Sequence, residues 1–195
     1  MHYYMFNKPY GCVSARTDNR YPTVMDYFQE LNNPELSPVG RLDRETEGLL
    51  LITDDGKWNQ QIAHPEHHIE KTYEFIALGT LDENKIKQLE QGVLLIGAAA
   101  LTAPAKVFVT GTSFLKDILS TLPDEIQQKT KHNRMEHPIV FGKITVTEGK
   151  KHQVRRMLKA VGCCIIYLKR ISIGNIHLDE NLKPGEWKEL NVHSM

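Results

Sequence analysis

An arginine and an aspartate stand two residues apart in Gly40-Arg41-Leu42-Asp43-Arg44-Glu45-Thr46-Glu47-Gly48, just ahead of the apolar run Leu49-Leu50-Leu51-Ile52-Thr53 and its closing Asp54-Asp55-Gly56. In extended backbone, side chains at i and i+2 leave on the same face. Arg41 and Asp43 can therefore point together into one cleft, with Leu42 tucked behind them. A carboxylate beside a guanidinium keeps its charged form and is a candidate nucleophile or base. A plainer role fits the same residues: Asp43 as a helix N-cap with Glu47 just beyond it, and Arg41 as a surface ion-pair partner.

Two further clusters carry chemical potential. From His152 to Val161 the chain reads as a helix in which Val154, Met157, Leu158 and Val161 follow core spacing. His152, Arg155, Arg156 and Lys159 share the opposite side. Tyr73, in Glu70-Lys71-Thr72-Tyr73, offers an aromatic face on which any nucleobase could stack, or is simply a strand tyrosine of the core. His64-Pro65-Glu66-His67-His68 invites a zinc interpretation. Pro65 spoils a helical His face and no cysteine lies near, so a loop is expected and no metal site.

These groups need elements to hold them. Strands are predicted at Tyr3–Phe6, Leu49–Thr53, Ile69–Leu78, Ala105–Thr110, Ile139–Thr147, Cys164–Leu168, Ile171–Ile173 and Trp187–Leu190. Helices are predicted at Val24–Leu31 behind the N-cap Thr23, at Asp82–Gln91 before Gly92, and at His152–Val161 before Gly162. The mixture lacks a regular βαβ rhythm. The fold expected is α+β: a mixed, mostly antiparallel sheet with helices on one side. The polar stretch Leu122–His137 has few apolar anchors and is expected to be a flexible insertion.

At 195 residues the chain is long enough to bury a core as one domain, residues 1–195, built from two lobes. No apolar stretch approaches the roughly 20 residues of a membrane span, and the N-terminus lacks a signal peptide, so a cytoplasmic protein is expected. Three cysteines, with Cys163 and Cys164 adjacent among apolar residues, suggest buried inert thiols rather than disulfides. The formal charge is zero, but Gly142 to Arg170 holds eight basic residues against Glu148, a net +7. Such a patch is a footprint for a phosphate backbone or a merely solvated face.

Several blocks together resemble one family. Gly40 to Gly56 is similar, almost letter for letter, to the G-R-L-D-x-x-T-x-G-L-L-L-x-T-x-D-G signature of bacterial ribosomal-RNA pseudouridine synthases. Glu148 to Met157 resembles their E-G-x-x-x-Q-V-R-R-M element, Lys71-Thr72-Tyr73 their K-x-Y, and Leu168 to Gly174 their L-x-R-x-x-I-G. Lys8-Pro9 is similar to the opening N-K-P-x-G. The likeness spans Lys8 to about Gly174 and is to the family that includes ribosomal small-subunit pseudouridine synthase A, most of all to its large-subunit synthase E branch.

The resemblance implies a two-lobed catalytic fold around a cleft. It implies that Asp43, Tyr73 and Arg155 are catalytic, with Arg155 pairing with the aspartate and Tyr73 stacking on a flipped uridine. Leu168 would wall the base, Arg170 would contact backbone phosphate, Arg156 and Lys159 would grip RNA, and Lys8 would support the substrate site. Arg41 would fill the gap left by the flipped base, or form a structural salt bridge. The expected activity is conversion of one uridine in ribosomal RNA, of the large subunit, to pseudouridine by a monomer. That isomerisation needs no metal or redox cofactor, so ribosomal RNA is the expected partner, with no membrane and no small-molecule cofactor. Many relatives carry an extra N-terminal RNA-binding domain of the ribosomal-protein-S4 type; this chain is expected to lack one and to open on its first catalytic strand. A non-catalytic RNA-binding or ribosome-assembly factor is the alternative. A glycosidase is more distant, since it would want two carboxylates about the scissile bond.

Overall fold

The structure, a computed structural model, describes residues 1–130 and 132–192. Its strands in chain order are β1 (Tyr3–Lys8), β2 (Ser37–Pro38), β3 (Glu47–Thr53), β4 (Lys71–Leu78), β5 (Lys106–Phe114), β6 (Pro138–Val146), β7 (Cys164–Ile173), β8 (Ile176–His177) and β9 (Trp187–Glu189). The helices are α1 (Gly56–Ala63), α2 (Glu83–Gln91), α3 (Leu115–Ile118), α4 (Asp124–Lys129) and α5 (Gln153–Ala160). The chain forms two compact units, one from Met1–Lys71 with the segment from Lys169 onward, the other from Thr72–Leu168.

In the first unit β3 is the centre. It pairs antiparallel with β1 and β2, and parallel with the end of β7 through Glu47↔Lys169 and Gly48↔Arg170. β9 adds antiparallel to β1, and β8 folds back on β7. All seven residues of β3 are buried, which is why Leu49 to Ile52 reads as an unbroken apolar run rather than an alternation. Gly48 has φ +100°, and a Cβ there would lie 2.2 Å from the Arg170 carbonyl oxygen. Only glycine allows the two strands to approach this closely.

The second unit carries the strand order β5-β6-β4-β7. Alternation along β4 sends Phe75 and Ala77 into a core with Leu89 of α2 and Val154, Met157 and Leu158 of α5. Ile76 and Leu78 leave the other way, into a cluster with Leu115, Ile118, Leu119 and Ile139. Helices on one side thus describes α2 and α5, while the segment after β5 covers the opposite face. That segment includes the stretch Leu122–His137, expected to be a flexible insertion, and α4 lies within it. Leu122 and Ile126 are both 6% exposed, and two apolar anchors suffice to seat α4. Lys131, within that stretch, lies outside the described residues.

Other differences have equally local causes. The two short strands predicted around Lys169 and Arg170 are one strand, β7, because Arg170 is tolerated inside it. The helix α1 was not anticipated, although Asp55 caps it by accepting from the N–H groups of Lys57 and Trp58. Val24–Leu31 is 3₁₀ in form, with the Asp26 carboxylate accepting the Thr23 N–H at 2.8 Å. Of the adjacent cysteines only Cys163 is buried, since β7 turns Cys164 outward.

Candidate active site

Asp43 sits in the turn between Gly40 and β3, half-buried, with Arg41 exposed on one side and Leu42 buried behind it at 5% exposure. Exposure thus alternates along these three residues. The turn is wired to residues far away in sequence. The Thr46 N–H donates to the Asp43 carbonyl at 3.0 Å, and the Gly11 N–H donates to the Arg44 carbonyl at 2.9 Å. Lys8 Nζ donates to the Arg44 carbonyl at 3.2 Å and to the Pro9 carbonyl at 2.9 Å. Ser14 Oγ donates to the Leu42 carbonyl at 2.8 Å and accepts the Leu42 N–H at 3.0 Å. The Arg44 guanidinium lies 4.3 Å from the centre of the Tyr21 ring.

Lys8 is fully buried, and burial pulls its ammonium down to about 8 despite the attraction of Cys12, Glu47 and Asp43. Its place is therefore inside the unit, bracing the turn from below, and not on a surface that meets substrate. Arg170 is corrected in the same way. It is 3% exposed, and its Nε donates to the Leu49 carbonyl at 2.8 Å, which binds β7 to β3 instead of presenting a cation to phosphate.

The remaining expected residues lie in the second unit. Tyr73 is half-buried and packs against the core cluster to which Leu168 belongs; Leu168 itself is 3% exposed. Arg155 is half-buried on α5, with Nη1 donating to the Ile165 carbonyl at 3.4 Å. Arg156 donates through Nη2 to the Ile96 carbonyl at 2.6 Å, so part of its bonding capacity holds the Val93–Thr102 loop. Lys150, Lys151, His152 and Lys159 are exposed. The start of α5 is closed by Glu148, which accepts from Gln153 Nε2 at 2.7 Å and from the Ala103 N–H at 2.9 Å. Partial burial raises the Glu148 carboxyl, but the hydrogen bonds from Lys150, Ala103 and Gln153 outweigh it and hold the group below its ordinary value. His152 takes a left-handed φ of 53° just before the helix.

Sequence reasoning missed Ser14, Gly11 and the Glu148–Ala103 tie. A lone serine after Lys8-Pro9 carries no spacing signal, because its partner is the backbone of a residue 28 positions on. His64 to His68 forms the end of α1 and a 3₁₀ turn, with the His64 ring accepting from the Glu66 N–H. Among the described residues, no group of three or more His, Cys, Asp or Glu is gathered to hold a metal, and no helix is long and apolar enough to cross a membrane.

The RNA pseudouridylate synthase family matches residues 2–160. The chain is 37% identical over 188 residues to ribosomal small subunit pseudouridine synthase A of Haemophilus influenzae, covering 96% of this chain and 69% of that one. It is 39% identical over 194 residues to an RNA pseudouridine synthase of Bacillus subtilis, covering 99% and 71%. A solved pseudouridylate synthase superposes with a TM-score of 0.79 at 34% identity, covering 99% of this chain and 71% of that one. The archaeal box H/ACA Nop10–Cbf5 complex shares the fold at a TM-score of 0.55 and 16% identity, covering 94% and 51%. The chain belongs to the RNA pseudouridylate synthase family. It is a pseudouridine synthase.

Proposed function

We propose that this enzyme converts a specific uridine of ribosomal RNA to pseudouridine, with Asp43 as the reactive carboxylate and Tyr73 and Arg155 as its catalytic partners. The reaction breaks the bond between ribose C1′ and N1 of the base, turns the base, and joins C1′ to C5. The C5 proton leaves and N1 gains one, so the sum is an isomerisation. The uridine must first leave its stack, at a cost of a few kcal/mol, and an Arg41 left exposed beside the turn is suited to fill the gap. Tyr73 supplies a stacking face, Leu168 an apolar wall, and Arg156 and Lys159 belong to the RNA-gripping surface. The two units act as one catalytic domain, as a monomer in the cytoplasm, where the RNA is. The observation that carries this reading is the family match together with a fixed turn at Asp43.

The motif likeness to synthase E pointed to the large subunit, whereas the relatives named for a substrate act on the small subunit. Small-subunit ribosomal RNA is therefore the first substrate proposed, with large-subunit RNA as the competing one. Asp43→Asn is expected to abolish tritium release from RNA carrying 5-tritiated uridine while RNA binding survives; wild-type release from that variant refutes the assignment. Pseudouridine mapping of both ribosomal RNAs from cells lacking the gene identifies the modified subunit by the site that disappears.

A further inference from the structure

We propose that Ser14 is a positioning residue for Asp43, a role that rests on the reading of Asp43 as the reactive carboxylate. Ser14 is 7% exposed, and its one hydroxyl satisfies both polar groups of the Leu42 backbone, accepting the N–H at 3.0 Å and donating to the carbonyl at 2.8 Å. A turn at the surface ordinarily leaves such groups to water, which fixes no orientation. Here a buried side chain takes water's place, as an adjoining strand would.

The clamp is itself anchored. The Val13 N–H donates to the Pro22 carbonyl and the Val13 carbonyl accepts from the Val24 N–H, both at 2.9 Å, so the residue before Ser14 is bonded through both of its backbone polar groups. On the far side of Asp43, the Arg44 carbonyl accepts from Gly11 and Lys8. Asp43 is thus flanked by two peptide units held from different parts of the chain. Of these supports Ser14 acts nearest, on the residue directly before the carboxylate.

Reactions of positioned groups lose about a hundredfold for a misplacement of about 1 Å. Ser14→Ala removes one oxygen atom and no apolar packing, so its expected signature is a kcat lowered about ten- to a hundredfold with KM and RNA affinity within about twofold. Exchange of the Leu42 amide hydrogen accelerates in the same variant, and Ser14→Thr, which restores the hydroxyl, returns both kcat and protection. A Ser14→Ala enzyme with kcat within twofold of wild type, or with unchanged Leu42 exchange, overturns the proposal. So does a loss of activity that merely follows the folded fraction in thermal melts. Asp43→Asn is measured alongside: if it retains tritium release, the reading of Asp43 has failed, while the Leu42 exchange result still reports on the clamp.

Discussion

The turn that bears Asp43 and the helix that bears Arg155 are held by different physics. α5 stands on an apolar face, Val154, Met157 and Leu158, sunk in a core shared with Phe75 and Leu89. Burial of that kind is non-directional and tolerates small shifts. The Asp43 turn has no helix or strand of its own and depends on a few directional bonds from Lys8, Gly11 and Ser14 to single backbone atoms. A packed face places a helix, whereas a reactive carboxylate on a loop needs each peptide plane fixed separately.

That contrast can be broken first at Gly48, where β3 meets β7. Gly48→Ala drives a Cβ into the Arg170 carbonyl at a left-handed φ, and is expected to cost more than about 4 kcal/mol, so that little folded protein is recovered. Recovery of soluble protein with a wild-type melting temperature would show that the close approach is not required. Next comes α5. Met157→Ala is expected to lose about 2–5 kcal/mol in denaturant unfolding, yet to keep its activity per folded molecule, because cavities weaken a packed face without redirecting it.

Lys8 tests the other kind of support. Its folded-state value of about 8 lies below the ordinary lysine range, so between about 8 and 10.5 the unfolded chain binds the extra proton and stability contributed by this site rises with pH. Tyr3, Tyr4 and Tyr27 are shifted upward and oppose it at high pH, so the comparison is made against Lys8→Met. Wild type is expected to gain up to about 3 kcal/mol relative to that variant across this window, read from urea unfolding at several pH values. A constant difference would mean that Lys8 is not buried as a cation. The smallest effect is at Lys159, exposed on α5: Lys159→Gln is expected to leave the melting temperature unchanged while lowering the salt slope of RNA binding by about 0.7.

Patterned elements were legible in the residues. Leu49 to Ile52 announced a buried strand, Asp82 and Gly92 bracketed α2, and the spacing of Val154, Met157 and Leu158 placed the inner face of α5. Legibility failed where a charged or polar residue turned inward. Arg170 looked like a contact for phosphate and Lys8 like a support at the substrate site, because lysine and arginine are rarely buried, and each is buried here with its charge set against backbone carbonyls. The same blind spot hid α4, whose polar composition concealed the anchors Leu122 and Ile126.

By itself, then, the amino-acid order determined the α+β class, the family and the candidacy of Asp43, because periodicity and short motifs are properties of neighbours along the chain. Tertiary structure alone decided which cations face solvent and which brace the interior, and it alone revealed that Ser14 grips Leu42. Such bonds join a side chain to the backbone of a distant residue, and backbone atoms are the same whatever the sequence spells, so no pattern of residue types can announce them.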